Sequence, residues 1–375
     1  MIVVAGEVLV DLVVGADGHV DPRLGGGPYN TARTLARLGA PTTFFGGLAD
    51  DRFGRLLRSA LDAEGVAIGV PGPSAAPTTL ALVDLDQAGV ASYSFYLAGT
   101  AAADLDYPAL AAAFDTILTE ARAAPTADAD ATADADATAD ADATAGADAT
   151  AGAVATGADA TGGRAASPGV GAVGTGAAIA VHVGALGLVM EPIGSAVERL
   201  VLADVPPDAF VMLDPNCRPG AIADRDAYLG RIARIAARAD VVKASVEDLA
   251  YLYPGSSPSQ AAESLLAAGP ALVLVTDGPD PARAFLPGVV LTVEVPGVDV
   301  VDTIGAGDAF GGGFLAWWSA HGLTRADLKR TPLVRTAVQV GVAAAAATCG
   351  RPGADPPTLA DLQSAHAWPL PGAHP

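Results

Sequence analysis

The stretch that decides the fold is DTIGAGDAFGGGFLA, Asp302–Ala316. A glycine turn opens into a helix there, and an acid, Asp308, stands at the opening. Such turns gather backbone N–H groups around an anion, and the helix dipole adds to their pull. A carboxylate at that point repels an anion, so Asp308 needs another purpose. Val298–Val301 reads as a strand edge leading into the turn, and Ala309 onward reads as helix. Phosphoryl transfer needs both halves of such a site: an anion hole for the phosphate and a base for the attacking hydroxyl. Asp308 at the rim of the hole fits the base, kept ionised by the dipole and turned towards the acceptor. The same pattern also describes an N-cap aspartate after a glycine turn. The turn alone does not choose between them.

Working outward, apolar runs at Ile2–Ala5, Thr42–Phe45, Ile179–Val183, Phe210–Leu213, Val241–Val242 and Leu272–Thr276 read as strands. Helical patterns lie between them, at Tyr29–Leu38, Phe53–Glu64, Ile193–Leu202, Tyr228–Ala237, Ser259–Ala268, Ala309–Ala320 and Leu333–Ala347. Alternation of this kind gives an α/β chain with a mostly parallel sheet covered on both faces. Two stretches differ. VLVDLVVGADGHV and TTLALVDLDQAGVASYSFYLAG alternate apolar and polar residues around the turns GADG and DQAG. They read as half-exposed antiparallel strands, at about 8–21 and 78–98, that form a small sheet over the core as a lid.

One segment belongs to neither pattern. From Thr126 a TADADA hexad recurs, with threonine at 126, 132, 138, 144, 150 and 156. Its eight aspartates and lack of aromatic residues cannot bury enough surface to offset ordering entropy. The aspartate spacing matches neither the EF-hand loop nor the glycine-rich calcium repeat. The segment, at about 120–176, reads as a low-complexity Ala/Asp/Thr insert within a single domain. It precedes the strand at Ile179, and ligands of a parallel sheet bind at the opposite, carboxyl ends of the strands. The insert is therefore expected to be disordered and catalytically neutral.

The 375 residues are 51% hydrophobic, enough for one large α/β domain or two ordinary ones. A net charge of −21 argues against nucleic acid and anionic membrane surfaces, and an anionic substrate needs local donors to enter such a field. Cys217 and Cys349 form no disulfide framework or zinc spacing, which fits a reducing cytoplasm. IVVAGEVLV, with no basic stretch before it, reads as a first buried strand and not a signal peptide. No apolar run long enough for a membrane span is expected, VGVAAAAAT being short. A P-loop, a dinucleotide fingerprint after the first strand, the protein-kinase set and a G-x-S-x-G elbow are all missing. The five histidines are scattered.

DTIGAGDAFGGGFLA resembles the C-terminal signature of the PfkB, or ribokinase-like, carbohydrate kinases. GGGPYNTARTLARLG, Gly25–Gly39, resembles their N-terminal signature, and GGLADDRFGRLL resembles the segment after their second strand. The likeness covers nearly everything outside the insert. It implies a three-layer α/β/α Rossmann-like core with a small β-sheet lid. It implies Asp308 as catalytic base, Gly305, Ala306 and Gly307 as anion hole, and Asp11, Gly25, Gly26 and Asn30 as sugar contacts. Thr276 and Gly278 match a nucleotide contact. KASVED stands where many members carry N-x-x-E, so Ser245 takes the asparagine's place at the nucleotide. Asp248, or Glu247 beside it, takes the place of the acid that holds magnesium through water. Asp302 resembles a ligand of the monovalent cation, potassium, that relatives bind.

DPNCRP, Asp214–Pro219, resembles bacterial fructokinases, with Arg218 offering a fork to a phosphate or a substrate carboxylate. The resemblance thus implies an ATP- and Mg²⁺-dependent kinase of a sugar's primary hydroxyl. Fructose comes first, 2-keto-3-deoxygluconate second, with Arg33 or Arg218 for its carboxylate, and ribose third. A non-catalytic sugar-binding regulatory protein is the alternative of another class, and a partner-binding repeat carried by a kinase body is a further one. Relatives often pair through their lids, so a homodimer is an expectation too.

Overall fold

The computed structural model describes residues 1–15, 17–70, 72–85, 91–123 and 179–371. In chain order the strands are β1 Ile2–Ala5, β2 Leu9–Val14, β3 Val20–Gly25, β4 Thr42–Phe45, β5 Ala67–Ile68, β6 Leu80–Leu85, β7 Ala91–Tyr96, β8 Ala180–Gly184, β9 Phe210–Asp214, β10 Val241–Ser245, β11 Leu272–Asp277, β12 Asp280–Leu286 and β13 Val289–Val293. The helices are α1 Gly27–Arg37, α2 Arg52–Ala63, α3 Tyr107–Ala123, α4 Ile193–Arg199, α5 Arg225–Arg238, α6 Val246–Leu252, α7 Pro258–Ala267, α8 Ala306–Ala320, α9 Thr331–Cys349 and α10 Leu359–Ser364.

The main sheet has nine strands in the order β13-β12-β11-β10-β9-β8-β1-β4-β5. It is parallel from β5 to β11 and ends in the antiparallel pair β12 and β13. Central strands such as IVVA and AVHVG are buried throughout, because both faces are covered. Alternate residues feed two cores. Val3 and Ala5 of β1 join one with Phe114 of α3, Val197 of α4, Ile235 of α5 and Leu265 of α7. Ile2 and Val4 join the other with Leu35 of α1, Leu61 of α2, Phe314 and Trp318 of α8, and Val338 of α9. This is the three-layer α/β/α arrangement.

The second sheet, β3-β2-β6-β7, stands off the core as a lid. Its hairpins are antiparallel as expected, but β2 and β6 at its centre run parallel, because each enters the lid from the main sheet in the same direction. The turn DQAG and the TADADA stretch lie outside the described residues. Of the expected insert, residues 120–123 belong to α3.

Two expectations need correction. Val298–Val301 is not a strand: Val300 and Val301 are 63% and 60% exposed, and the N–H groups of Val301 and Asp302 hook onto the Cys349 carbonyl at the end of α9. The antiparallel edge comes earlier, in β12 and β13. One helix, α9, is long and apolar enough to cross a membrane, with 19 residues and a mean hydropathy of 1.2. It packs along α8, and its Val334, Val338 and Val342 are buried in the second core.

The glycine triplet of α8 fixes how the helices meet. A Cβ on Gly312 would lie 2.7 Å from Thr34 Cβ, and one on Gly313 would lie 3.1 Å from Gly341 Cα. Side chains there would push α1 and α9 away. Without them α1 and α8 approach closely, and Asn30 comes up against Asp308.

Candidate active site

At the N-terminus of α8, Gly305 takes φ +77°, in the left-handed region, and a Cβ on it would strike Ala354. The turn leaves the N–H groups of Gly307 and Asp308 without backbone partners among the described residues, whereas Ala306 N–H points back to the Thr303 carbonyl. Two unpaired donors and the positive end of a 15-residue helix thus converge on one point.

Asp308 is buried beside them. Its Oδ2 accepts from Asn30 Nδ2 at 2.9 Å and its Oδ1 from Asn216 Nδ2 at 3.4 Å. Burial raises its carboxyl above the usual range, while the Asn30 hydrogen bond, Lys243 and Arg218 act in the opposite direction. Asn30 Oδ1 is buried with no partner, an acceptor waiting for a donor. Asn216 holds φ 40°, a conformation asparagine tolerates better than most residues.

The donors and Asp308 face a cavity of about 240 Å³, also lined by Glu7, Asp11, Gly26, Gly27, Tyr93, Phe95, Asn216, Arg218 and Lys243. Asp11 reaches in from β2, and burial lifts its carboxyl to about 6 against the pull of Arg218. Glu7, just past β1, accepts from Gly27 N at 3.0 Å and Gly187 N at 2.7 Å. Burial lifts it to about 7 against those hydrogen bonds. On the floor, Lys243 Nζ lies 3.0 Å from Asp214 Oδ2, both buried. Burial pushes the neighbouring His182 down to about 3, with Lys243 adding to it, so that imidazole is neutral.

The structure thus gathers Asp308, Gly305, Gly307, Asp11, Gly26, Asn30 and Arg218 around one cavity, with Ala306 in the turn between them. Gly25 lies behind Asp11, its Cα face filled by that carboxylate. Ser245 and Thr276 pair across β10 and β11 at the carboxyl edge of the sheet, next to the turn at Gly278, and do not line the cavity.

The metal expectations fare differently. Asp248 accepts from Cys217 N at 2.6 Å and Ser245 N at 2.8 Å, so its two oxygens brace the DPNCRP turn and cap α6. Glu247 is exposed beside it. The Asp302 carboxylate is already engaged: Arg23 Nη1 lies 2.6 Å from Oδ2, Gly353 N donates to the same oxygen, and Ile304 N donates to Oδ1. That ion pair ties the lid strand β3 to the turn before α8. Among the described residues no cluster of three His, Cys, Asp or Glu is arranged to hold a metal. Arg33, offered for a carboxylate, binds Glu64 and the Ala354 carbonyl and is not a cavity residue.

Sequence reasoning gave no role to Glu7, Gly27, Asp214, Asn216 or Lys243. The one signal in the sequence is Lys243 itself, a rare lysine inside an apolar strand.

The profile of the pfkB family carbohydrate kinases matches residues 1–157 and 203–361. A fructokinase of Rhizobium leguminosarum bv. trifolii is 32% identical over 321 residues, 84% of this chain and 79% of its own. The crystal structure of a Xylella fastidiosa fructokinase with bound ATP superposes with a TM-score of 0.73 at 23% identity, covering 97% of both chains. That of a Vibrio cholerae O395 fructokinase with fructose, ADP and calcium ion gives 0.68 at 23%, covering 94% of both.

Proposed function

Because this chain belongs to the pfkB family of carbohydrate kinases, we propose that it transfers the γ-phosphate of ATP to the primary hydroxyl of fructose. The observation that carries this reading is the cradle of Asp308. A buried carboxylate is held by two amides, opposite a cavity acceptor and beside two unpaired helix N–H groups.

The sugar lies under the lid, with its hydroxyls on Asp11 and on the free Oδ1 of Asn30. Its primary hydroxyl points at Asp308, which takes the proton as the oxygen attacks phosphorus. The N–H groups of Gly307 and Asp308 meet the charge that spreads over the transferring phosphoryl. Lid strands close the cavity and keep water from competing as acceptor. Ser245, Thr276 and Gly278 border the nucleotide along the sheet edge. Magnesium bound with ATP would supply charge neutralisation there. With Asp248 engaged, Glu247 is the acid left to receive a metal-bound water. The Vibrio cholerae protein of the same fold holds fructose and ADP, which supports a sugar and a nucleotide as the ligands here.

Electrostatics favour a neutral sugar over a sugar acid. Glu7, Asp11 and Asp308 line the cavity, and Arg218 is the one guanidinium there, already facing Asp11. That ranks fructose above 2-keto-3-deoxygluconate. Exposed Tyr93, Tyr96 and Val20 on the two edge strands of the lid support pairing of two copies through that sheet. Free Cys217 and Cys349 suit the reducing cytoplasm. The test is ADP release with ATP and Mg²⁺ across fructose, 2-keto-3-deoxygluconate, ribose and adenosine, with Asp308→Asn beside it. Turnover on fructose that collapses in the variant supports the reading. Sugar binding without turnover supports the regulatory alternative.

A further inference from the structure

Lys243 is 3% exposed on β10, at the floor of the cavity. Asp214 is its one hydrogen-bond partner among the described residues, which leaves two ammonium protons unused. Its Nζ reaches the glycine turn: a Cβ on Gly307 would sit 2.9 Å from it. A full positive charge therefore lies against the point where the Gly307 and Asp308 N–H groups converge.

Stability does not account for this ion pair, since an apolar pair of similar volume serves a core as well or better. Composition sharpens the point. Of the 21 lysines and arginines in the chain, only Lys243 and Lys329 are lysine. In a chain that otherwise uses arginine, the buried cation at this turn is an ammonium. A compact point charge fits beneath a helix N-terminus where a wide guanidinium fork does not. The cavity is also rich in acids, with Glu7, Asp11 and Asp308 on its walls and Asp214 below, in a chain of net charge −21. An incoming phosphate needs a local cation to enter that field.

We propose that Lys243 is a catalytic residue of this kinase: its ammonium completes the anion hole and contacts the phosphoryl group in transfer, with Asp214 as its anchor. The proposal rests on the kinase reading above and deepens it. In the step, the sugar oxygen bonds to the γ-phosphorus and its proton passes to Asp308. The bond from that phosphorus to the bridging oxygen breaks, and ADP leaves with the electron pair. Lys243 exchanges no proton and meets the charge on the equatorial oxygens. The groups that face the ammonium are Asp214 on β9, Asp248 on α6, Asp308 on α8 and the neutral His182 on β8.

The test pairs Lys243→Met with Asp214→Asn in the full chain, so that neither charge is left buried alone. Calorimetry measures affinity for ADP and for a non-hydrolysable β,γ-imido analogue of ATP, both with Mg²⁺. Melting temperature and fructose-dependent ADP release are read on the same samples. The expected result is a near-native melting temperature, unchanged ADP affinity and analogue affinity lower by about 10- to 100-fold, as for a lost charge-assisted hydrogen bond. Turnover should fall by about 100- to 1,000-fold with little change in KM for fructose, as when one preorganised donor is removed. Equal loss of ADP and analogue affinity, or turnover within about threefold of wild type, overturns the proposal. A paired variant that does not fold overturns it in favour of a structural role. If the wild type turns over no fructose, the substrate reading falls, while the comparison of analogue with ADP still decides the role of Lys243.

Discussion

Glu7→Gln isolates the titration of one buried carboxyl from everything else in the cleft. In the folded chain Glu7 is held at about 7, against 4.5 for an ordinary glutamate. Between those two values the folded state keeps a proton that the unfolded chain has lost, so folding takes up a proton. Stability is fully present below pH 4.5, declines as pH rises through 7 and then levels off. At 1.36 kcal/mol per pH unit the loss amounts to about 3 kcal/mol. Glutamine cannot titrate, but it carries a cost at every pH. Its amide oxygen can accept from Gly187 N, while its NH₂ then faces Gly27 N, a mismatch of about 1–3 kcal/mol. The variant should therefore be weaker than wild type at pH 5 and gain on it by about 3 kcal/mol by pH 8. Asp11 and Asp214, both lifted to about 6, titrate in the same window in both proteins and cancel in the difference. Urea midpoints at fixed ionic strength, taken in half-unit pH steps, read that difference directly. Parallel curves for the two proteins would refute the argument that burial, and not its hydrogen bonds, governs Glu7.

Asp308→Asn should lower turnover by about 10²- to 10⁴-fold, the usual worth of a general base, with fructose affinity by calorimetry nearly unchanged. Asp248→Ala should destabilise the chain by about 2–4 kcal/mol in urea, because Cys217 N and Ser245 N lose their acceptor. Its Mg²⁺ dependence should stay as in wild type if Glu247 is the acid that faces the metal's water. Arg23→Ala should raise KM for fructose and leave melting temperature within about 2 °C, since a half-exposed ion pair contributes little to global stability but ties the lid to the α8 turn. Removing residues 126–161 should leave turnover on fructose unchanged, and a matching loss in kcat would refute the placement of that stretch away from the site.

The sequence was most legible where one force acted alone. IVVA and TTFF read as strands to the residue because both faces of a central strand are apolar. The glycine signatures were legible because close helix approach and a positive φ leave few residue choices. Val298–Val301 misled because valines signal burial, yet here they sit in an exposed connection held by backbone bonds to Cys349. The helix at Tyr107–Ala123 was missed because its alanines merge into the alanine-rich stretch that follows. Lys243, Asp214 and Asn216 escaped for another reason. They come from β10, β9 and the turn after β9, and their meaning lies in a register between strands, Val241 beside Met212, that no local pattern reveals. The resemblance carried a magnesium role onto Asp248 and gave no sign that its oxygens also accept from Cys217 N and Ser245 N.

The bond from Asn30 to Asp308 joins residues 278 apart, and that from Arg23 to Asp302 joins residues 279 apart. Sugar contacts and lid come from the first part of the chain, whereas base and anion hole come from the last. During synthesis the half that grips a sugar emerges long before the half that phosphorylates it. An incomplete chain can acquire the early sheet and lid hairpins, yet it has neither base nor latch. Contacts of such long separation form late, because loop closure must come before they stabilise anything. Catalytic competence is then the last property this chain acquires, and turnover reports that both ends have been made and have met.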